Sequence, residues 1–116
     1  MNKELRISNI LKDLGVAPNL KGYHYLKYAI EKVSDDFTIV NNVTKIMYPL
    51  VAEAFDTTPQ RVERAMHHAI ETGWAVADYD LMCTMFGNTV KSKKVAPTNS
   101  QYVATIVDYM NMTQEE

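Results

Sequence analysis

Three charged side chains that could read nucleic-acid bases stand close together in the middle of the sequence, at Arg61, Glu63 and Arg64. Because Arg61 and Arg64 are three positions apart, they would be neighbours on one face of a helix. An arginine binds O6 and N7 of guanine through two hydrogen bonds, and a glutamate accepts a hydrogen bond from N4 of cytosine. DNA phosphates repel a carboxylate. The presence of Glu63 between the two arginines therefore indicates that this face reads bases, and does not merely bind the phosphate backbone by charge. The same trio would also suit an ordinary solvated helix face, so its interpretation depends on the element that carries it.

A helix with a well-marked start carries these residues. Thr57 or Thr58 is expected to cap it, with Pro59 in the first turn, and Gln60 would complete a capping box if Thr57 is the cap. The inward face is predicted to comprise Val62, Ala65, Met66, Ala69, Ile70 and Trp74. The outward positions are then Gln60, Arg61, Arg64, His67, His68 and Glu71, with Glu63 at the edge. Gln60 and the helix N-terminus could hold a phosphate.

The segment before this helix is apolar at helical spacing from Val40 to Phe55, with Pro49 inside it. Either one element kinks at Pro49, or a new helix starts with Pro49 in its first turn; we favour the kinked element. A helix, a turn of about four residues and a second capped helix make the helix-turn-helix arrangement, in which the first turns of the second helix enter the major groove.

Apolar residues recur at helical spacing elsewhere too. They predict a first helix with a stripe from Leu5 to Leu14 and a stop at Gly15, a second from about Gly22 to Ser34, a short one from about Tyr79 to Phe86 closed by Gly87, and a last one capped by Thr98 or Asn99. Residues 88–97 are polar and basic, which indicates a loop. The predicted fold class is all-α, with about six helices that include the helix-turn-helix.

Composition limits the class of protein. The 116 residues suit a single domain over 1–116, and 47% apolar with 22% charged residues is ordinary for a globular protein. The single cysteine, Cys83, excludes an internal disulfide and any zinc site that needs two cysteines. No signal peptide and no membrane-length apolar run is apparent. We therefore expect a cytoplasmic protein without membrane association.

The charge balance has to be judged by its distribution. A net charge of -2 and a pI near 5.9 argue weakly against nucleic acid. However, Lys91, Lys93 and Lys94 lie in a stretch without acids, and Lys21 precedes the second helix at its expected N-terminus. These four lysines are candidate phosphate contacts on a basic face, although a lysine cluster by itself would equally suit a solvated loop.

Other constellations are weak. Glu63, His67 and His68 lack the further ligands of a metal site, and no motif makes Cys83 a nucleophile. We expect no metal, no cofactor and no catalytic residue. Two alternatives to DNA binding remain: a helical protein-interaction domain, favoured if the arginines were paired with acids, and a small enzyme, which would need a pocket holding Glu63 and both histidines.

Four stretches resemble one known family. They are residues 21–30 (KGYHYLKYAI), 43–52 (VTKIMYPLVA), 61–71 (RVERAMHHAIE) and 94–100 (KVAPTNS), and they match in register from about Ile7 to Met110. The family is the effector domain of the stage-zero sporulation protein A, the master response regulator of spore formation in endospore-forming bacteria.

This resemblance implies a sequence-specific transcription factor domain, an activator and a repressor, that reads boxes similar to TGNCGAA. It implies a phosphoacceptor receiver domain that is absent from this chain, a homodimer on tandem boxes, contact with the sigma subunit of RNA polymerase, and a place in the bacterial cytoplasm with the nucleoid.

The resemblance also implies roles for individual residues. Arg61, Glu63 and Arg64 stand at the family's base-reading positions, and His68 matches its histidine, whereas His67 replaces an arginine. Pro59 and Gln60 replace an Ala-Ser pair. The polymerase-facing surface would comprise Leu81, Cys83, Phe86 and Val90; of these, Leu81 and Cys83 replace serines.

Overall fold

The computed structural model describes residues 2–87 and 95–113, and within them the chain is all-α, as predicted. The six α-helices are α1 (Lys3–Asp13), α2 (Lys21–Asp35), α3 (Tyr48–Ala54), α4 (Pro59–Val76), α5 (Tyr79–Phe86) and α6 (Asn99–Met112). A 3₁₀ helix (Phe37–Asn41) and a π-helical turn (Val43–Met47) lie between α2 and α3. No helix of the described residues has the length and apolar character that crossing a membrane requires.

Pro49 determines how the chain enters α3. Proline has no N–H to donate, and in an α-helix its ring collides with the carbonyl four residues earlier, here that of Lys45. The turn before it is widened accordingly: the amide of Met47 donates to the carbonyl of Asn42 at 3.3 Å, and that of Tyr48 donates to the carbonyl of Val43. The α-helix thus starts at Tyr48 with Pro49 in its first turn, which is the alternative to the favoured kinked element; the π-helical turn precedes it, and Val40 belongs to the separate 3₁₀ helix.

Thr58 fixes the start of α4. Its hydroxyl accepts a hydrogen bond from the amide of Arg61 at 3.2 Å, and Pro59 occupies the first turn, where its missing N–H is not needed. The cap is therefore Thr58, and the alternative capping box of Thr57 with Gln60 is not the one used. The apolar face of α4 is buried as predicted, except that Ala65 is only half-buried.

A glycine lets α2 approach α4 closely. A Cβ atom at Gly22 would lie 2.1 Å from the main-chain oxygen of Ala65 and 2.7 Å from the Cβ of Ala69. Only a residue without a side chain fits, since real Cβ atoms essentially never come within 3.0 Å of such neighbours. This contact places Lys21, the first residue of α2, beside the exposed face of α4.

Both ends of α6 are anchored. Thr98 and Gln101 form the reciprocal capping box at its start. At its other end the guanidinium of Arg6, from α1, donates to the main-chain oxygens of Met110 and Thr113, both at 3.0 Å. These bonds satisfy carbonyls that have no partner within the helix and hold α6 across the molecule, with its first turn close to α4.

Candidate nucleic-acid interface

One face of α4 is exposed in the way the sequence predicts. Every predicted outward residue is exposed, together with Glu63 at the edge: Gln60, Arg61, Glu63, Arg64, His67, His68 and Glu71. Val62 and Met66, on the opposite face, are completely buried. The apolar side of the helix thus faces the protein core, and its charged side faces solvent.

The two arginines on this face are unpaired. The ion pairs in the described part of the chain are Lys3–Asp35, Lys27–Glu4 and His67–Glu71, and none involves Arg61 or Arg64. The protein-interaction alternative would be favoured by arginines paired with acids, and within residues 2–87 and 95–113 that condition is not met. Both guanidinium groups keep all their donors available for a ligand.

A basic cleft of ≈ 440 Å³ lies between the start of α2 and α4. Its lining is Lys21, Tyr25, Thr57, Arg61, Arg64, Ala65 and His68, which includes no acid. The first turn of α2 also carries no acid and has no side-chain cap, so its free N–H groups add to the positive potential. The formally acidic chain therefore has a locally basic face beside Arg61 and Arg64.

An open groove of ≈ 650 Å³ runs along the other side of α4, toward α3 and α6. It is lined by Tyr48, Gln60, Glu63, Arg64, His67, His68, Glu71, Thr98 and Asn99. The sequence did not lead us to expect that Glu63 and both histidines would share a cavity. All three are exposed, and Nε2 of His67 lies 3.5 Å from the carboxylate of Glu71, so this histidine already has a partner.

A buried polar cluster that the sequence analysis missed closes this groove at its base. Nδ2 of Asn99 donates to the hydroxyl of Tyr48 at 3.0 Å and to the main-chain oxygen of Glu63 at 3.1 Å. Burial raises the pKa of Tyr48 above its ordinary value, and the charge of Glu63 raises it further, against the effect of the Asn99 hydrogen bond. The sequence predicts Asn99 only as an alternative cap for α6, because an asparagine directly after a capping threonine gives no indication of a long-range contact.

The residues of the predicted polymerase surface differ in their exposure to solvent. Leu81 and Cys83 on α5 are half-buried and remain partly accessible. Phe86, however, is not a surface residue: its ring packs edge-on against Trp74 and stacks on Tyr102, with centroids at 5.0 and 5.6 Å. The remaining members of this surface and of the lysine cluster lie outside the described residues: Val90, Lys91, Lys93 and Lys94.

Two exposed side chains near α5 were not predicted. Val76, at the end of α4, is 71% exposed, and Tyr79, at the start of α5, is 47% exposed. A hydrogen bond with Cys83 raises the pKa of Tyr79.

A short helix, a connection at residues 55–58 and a capped second helix with unpaired arginines on its exposed first turns are features of helical DNA-binding domains of the helix-turn-helix type. The family model of the sporulation initiation factor Spo0A C terminal matches residues 7–110. The chain therefore belongs to this family of DNA-binding effector domains of sporulation initiation.

Proposed function

We propose that α4 enters the major groove of boxes similar to TGNCGAA and reads them with Arg61, Glu63 and Arg64. The box offers two guanines and a cytosine, which suit two arginines and one glutamate. The observation that carries the proposal is that both guanidinium groups are exposed and unpaired, side by side on the first turns of a capped helix. Bound at different promoter positions, the same domain would activate some genes and repress others.

The basic cleft supplies the backbone contacts in this proposal. Lys21 and His68 both line this cleft at the N-terminus of α2, where a phosphate oxygen would meet both charge and free N–H groups. Gln60 contacts a second phosphate from the first turn of α4. His67 contributes less, because Glu71 competes for its ring. The lysines at 91, 93 and 94 add phosphate contacts that carry no sequence information.

Alanine substitutions distinguish base reading from phosphate binding. Arg61→Ala or Arg64→Ala should weaken binding to a boxed duplex by about 1–3 kcal/mol more than binding to a scrambled duplex. Lys21→Ala is the matched control, since it removes a neighbouring cation in the same cleft and should weaken both duplexes alike. If either arginine variant behaves as Lys21→Ala does, that arginine does not read a base.

Glu63→Ala addresses the cytosine. A panel of single base-pair changes in the box should show relaxed preference at one position, with a smaller effect on total affinity. An unchanged preference profile would exclude this role for Glu63. Replacing the lysines at 91, 93 and 94 should instead lower the log–log salt slope by about one unit for each phosphate that is no longer neutralised, and an unchanged slope would remove them from the interface.

We also propose that α5 offers a surface to the sigma subunit of RNA polymerase while two copies of the domain occupy tandem boxes. The partly exposed side chains of Leu81 and Cys83, with the exposed Tyr79 beside them, suit a protein partner better than phosphates. Alanine at Tyr79 and Leu81 should abolish activation in a transcription assay and leave box binding and repression intact. Loss of DNA binding in proportion to activation would mean that α5 only supports α4.

A further inference from the structure

Residues near the N-terminal ends of three helices meet at the buried side-chain amide of Asn99. Asn99 is the first residue of α6, Tyr48 is the first residue of α3, and Glu63 lies in the second turn of α4. Nδ2 of Asn99 donates one hydrogen bond to the hydroxyl of Tyr48 at 3.0 Å and another to the main-chain oxygen of Glu63 at 3.1 Å. We propose that Asn99 is a positioning residue for base reading, which holds the turn of α4 that bears Arg61, Glu63 and Arg64 at a fixed depth and rotation. This inference rests on the proposed function.

The energetics of Asn99 argue against a purely stabilising role. In the described part of the chain the buried polar residues are Ser8 and Asn99, and Asn99 is 6% exposed. Its Oδ1 atom is buried without a hydrogen-bond partner. An amide that is desolvated with one acceptor unsatisfied gives back much of what its two bonds contribute. What distinguishes an asparagine from an apolar side chain at this position is therefore the direction of its two bonds more than their net free energy.

The atom that Asn99 binds is well placed to transmit that geometry. The main-chain oxygen of Glu63 belongs to the peptide group that joins Glu63 to Arg64, so the bond from Asn99 holds the backbone directly beside a base-reading residue. Two-point recognition of a guanine edge requires placement to within about 0.5 Å and 10–20°. A helix held only by apolar contacts can slide or rotate slightly without losing buried area, whereas a directional bond from α6 resists such movement.

The hydrogen bond from Asn99 to Tyr48 positions α3 in the same way. Tyr48 is buried, and its hydroxyl accepts the other N–H of Asn99. Because α3 and α4 are the two helices on either side of the 55–58 turn, one amide fixes both of them relative to α6. The capping box of Thr98 and Gln101 in turn fixes the first turn of α6, and with it the backbone of Asn99.

The test compares two variants, one at each end of α6, by their ability to distinguish a boxed from a scrambled duplex. Asn99→Ala removes the anchor beside α4, and Arg6→Ala removes the hydrogen bonds at the far end of α6. Affinities for boxed and scrambled duplexes are measured by fluorescence anisotropy well below each unfolding midpoint. We expect Asn99→Ala to lower the boxed-to-scrambled ratio by roughly tenfold, comparable with removal of one base contact. We expect Arg6→Ala to lower the midpoint while leaving the ratio unchanged.

Three further variants make the result decisive. Asn99→Asp keeps the size of the side chain but loses both donors, so it should reproduce the loss of discrimination if Asn99→Ala is too unstable to assay. Arg61→Ala and Arg64→Ala report on the proposed function: if both leave the ratio unchanged, base reading by the arginines is wrong. If either lowers the ratio while Asn99→Ala matches Arg6→Ala, positioning is overturned. If neither Asn99 variant folds at low temperature, Asn99 serves stability and positioning is likewise overturned.

Discussion

Gly22→Ala tests how closely α2 must approach α4. The added Cβ would lie 2.1 Å from the main-chain oxygen of Ala65, where ordinary contact begins at 3.4 Å. The difference, about 1.3 Å, must be absorbed by moving one helix, since interiors are close-packed. A second close neighbour, the Cβ of Ala69 at 2.7 Å, lies on the same side. We expect α2 to be displaced from α4 and Lys21 to move with it.

The size of the effect follows from two opposing contributions. Overpacking of this kind costs about 1–3 kcal/mol, and a backbone oxygen cannot rotate away, so the upper end applies. The higher helix propensity of alanine stabilises the folded state by up to about 1 kcal/mol relative to glycine, which offsets part of this cost. The free energy of unfolding should therefore fall by about 2 kcal/mol, which for a domain near this size lowers Tm by roughly 10 °C.

Thermal unfolding followed by circular dichroism provides the assay, with Lys21→Ala as the matched control. The control changes the adjacent exposed residue and should keep the wild-type Tm while weakening DNA binding. A double variant, Gly22→Ala with Ala69→Gly, should not recover stability, because the oxygen of Ala65 remains in place. A Tm within 2–3 °C of wild type for Gly22→Ala, a loss of about 0.5 kcal/mol or less, would refute the close-approach reasoning.

Two further predictions concern stability. Thr58→Ala should lower the free energy of unfolding by about 1 kcal/mol through loss of the α4 cap, whereas Thr57→Ala, which caps nothing, should have little effect; equal losses in urea titrations would contradict the assignment of the cap. Burial raises the pKa of Tyr48 and Tyr102, so their contribution to stability is complete below about pH 10 and is lost as the pH rises through the folded-state values. The urea midpoint should therefore fall above that pH, less steeply in Tyr102→Phe, and a midpoint independent of alkaline pH would contradict this reasoning.

Local chemistry made much of the fold predictable. The apolar period placed all six α-helices, and Gly87, at φ 63°, ends α5 where a glycine was expected to do so. Proline was more ambiguous: the sequence indicated an interruption at Pro49, but the choice of a π-helical turn depends on the hydrogen bonds that the neighbouring amides find. Similarly, Thr57 and Thr58 are both competent caps by residue type, and the structure shows that Thr58 caps α4.

Only the part of the candidate site that lies on α4 was predictable from the sequence. The exposed residues of α4 follow from helical periodicity, because the buried face fixes the opposite one. The groove shared by Glu63 and the histidines requires α6 to lie alongside, and the Asn99 contact joins residues far apart in sequence. Phe86 shows the reverse error: the resemblance placed it on the polymerase-facing surface, but its ring packs against Trp74 and Tyr102.

The most direct test of base reading is a salt titration of the unmodified chain on two duplexes, one with the box and one with the box scrambled. Phosphate contacts are shared, so plots of log affinity against log salt should be parallel. Base contacts by Arg61 and Arg64 should separate the two lines by at least about 30-fold, since each contributes roughly 1 kcal/mol or more. Parallel lines with that separation are the predicted result. Coincident lines would contradict the account, because the exposed face of α4 would then bind phosphates without reading sequence.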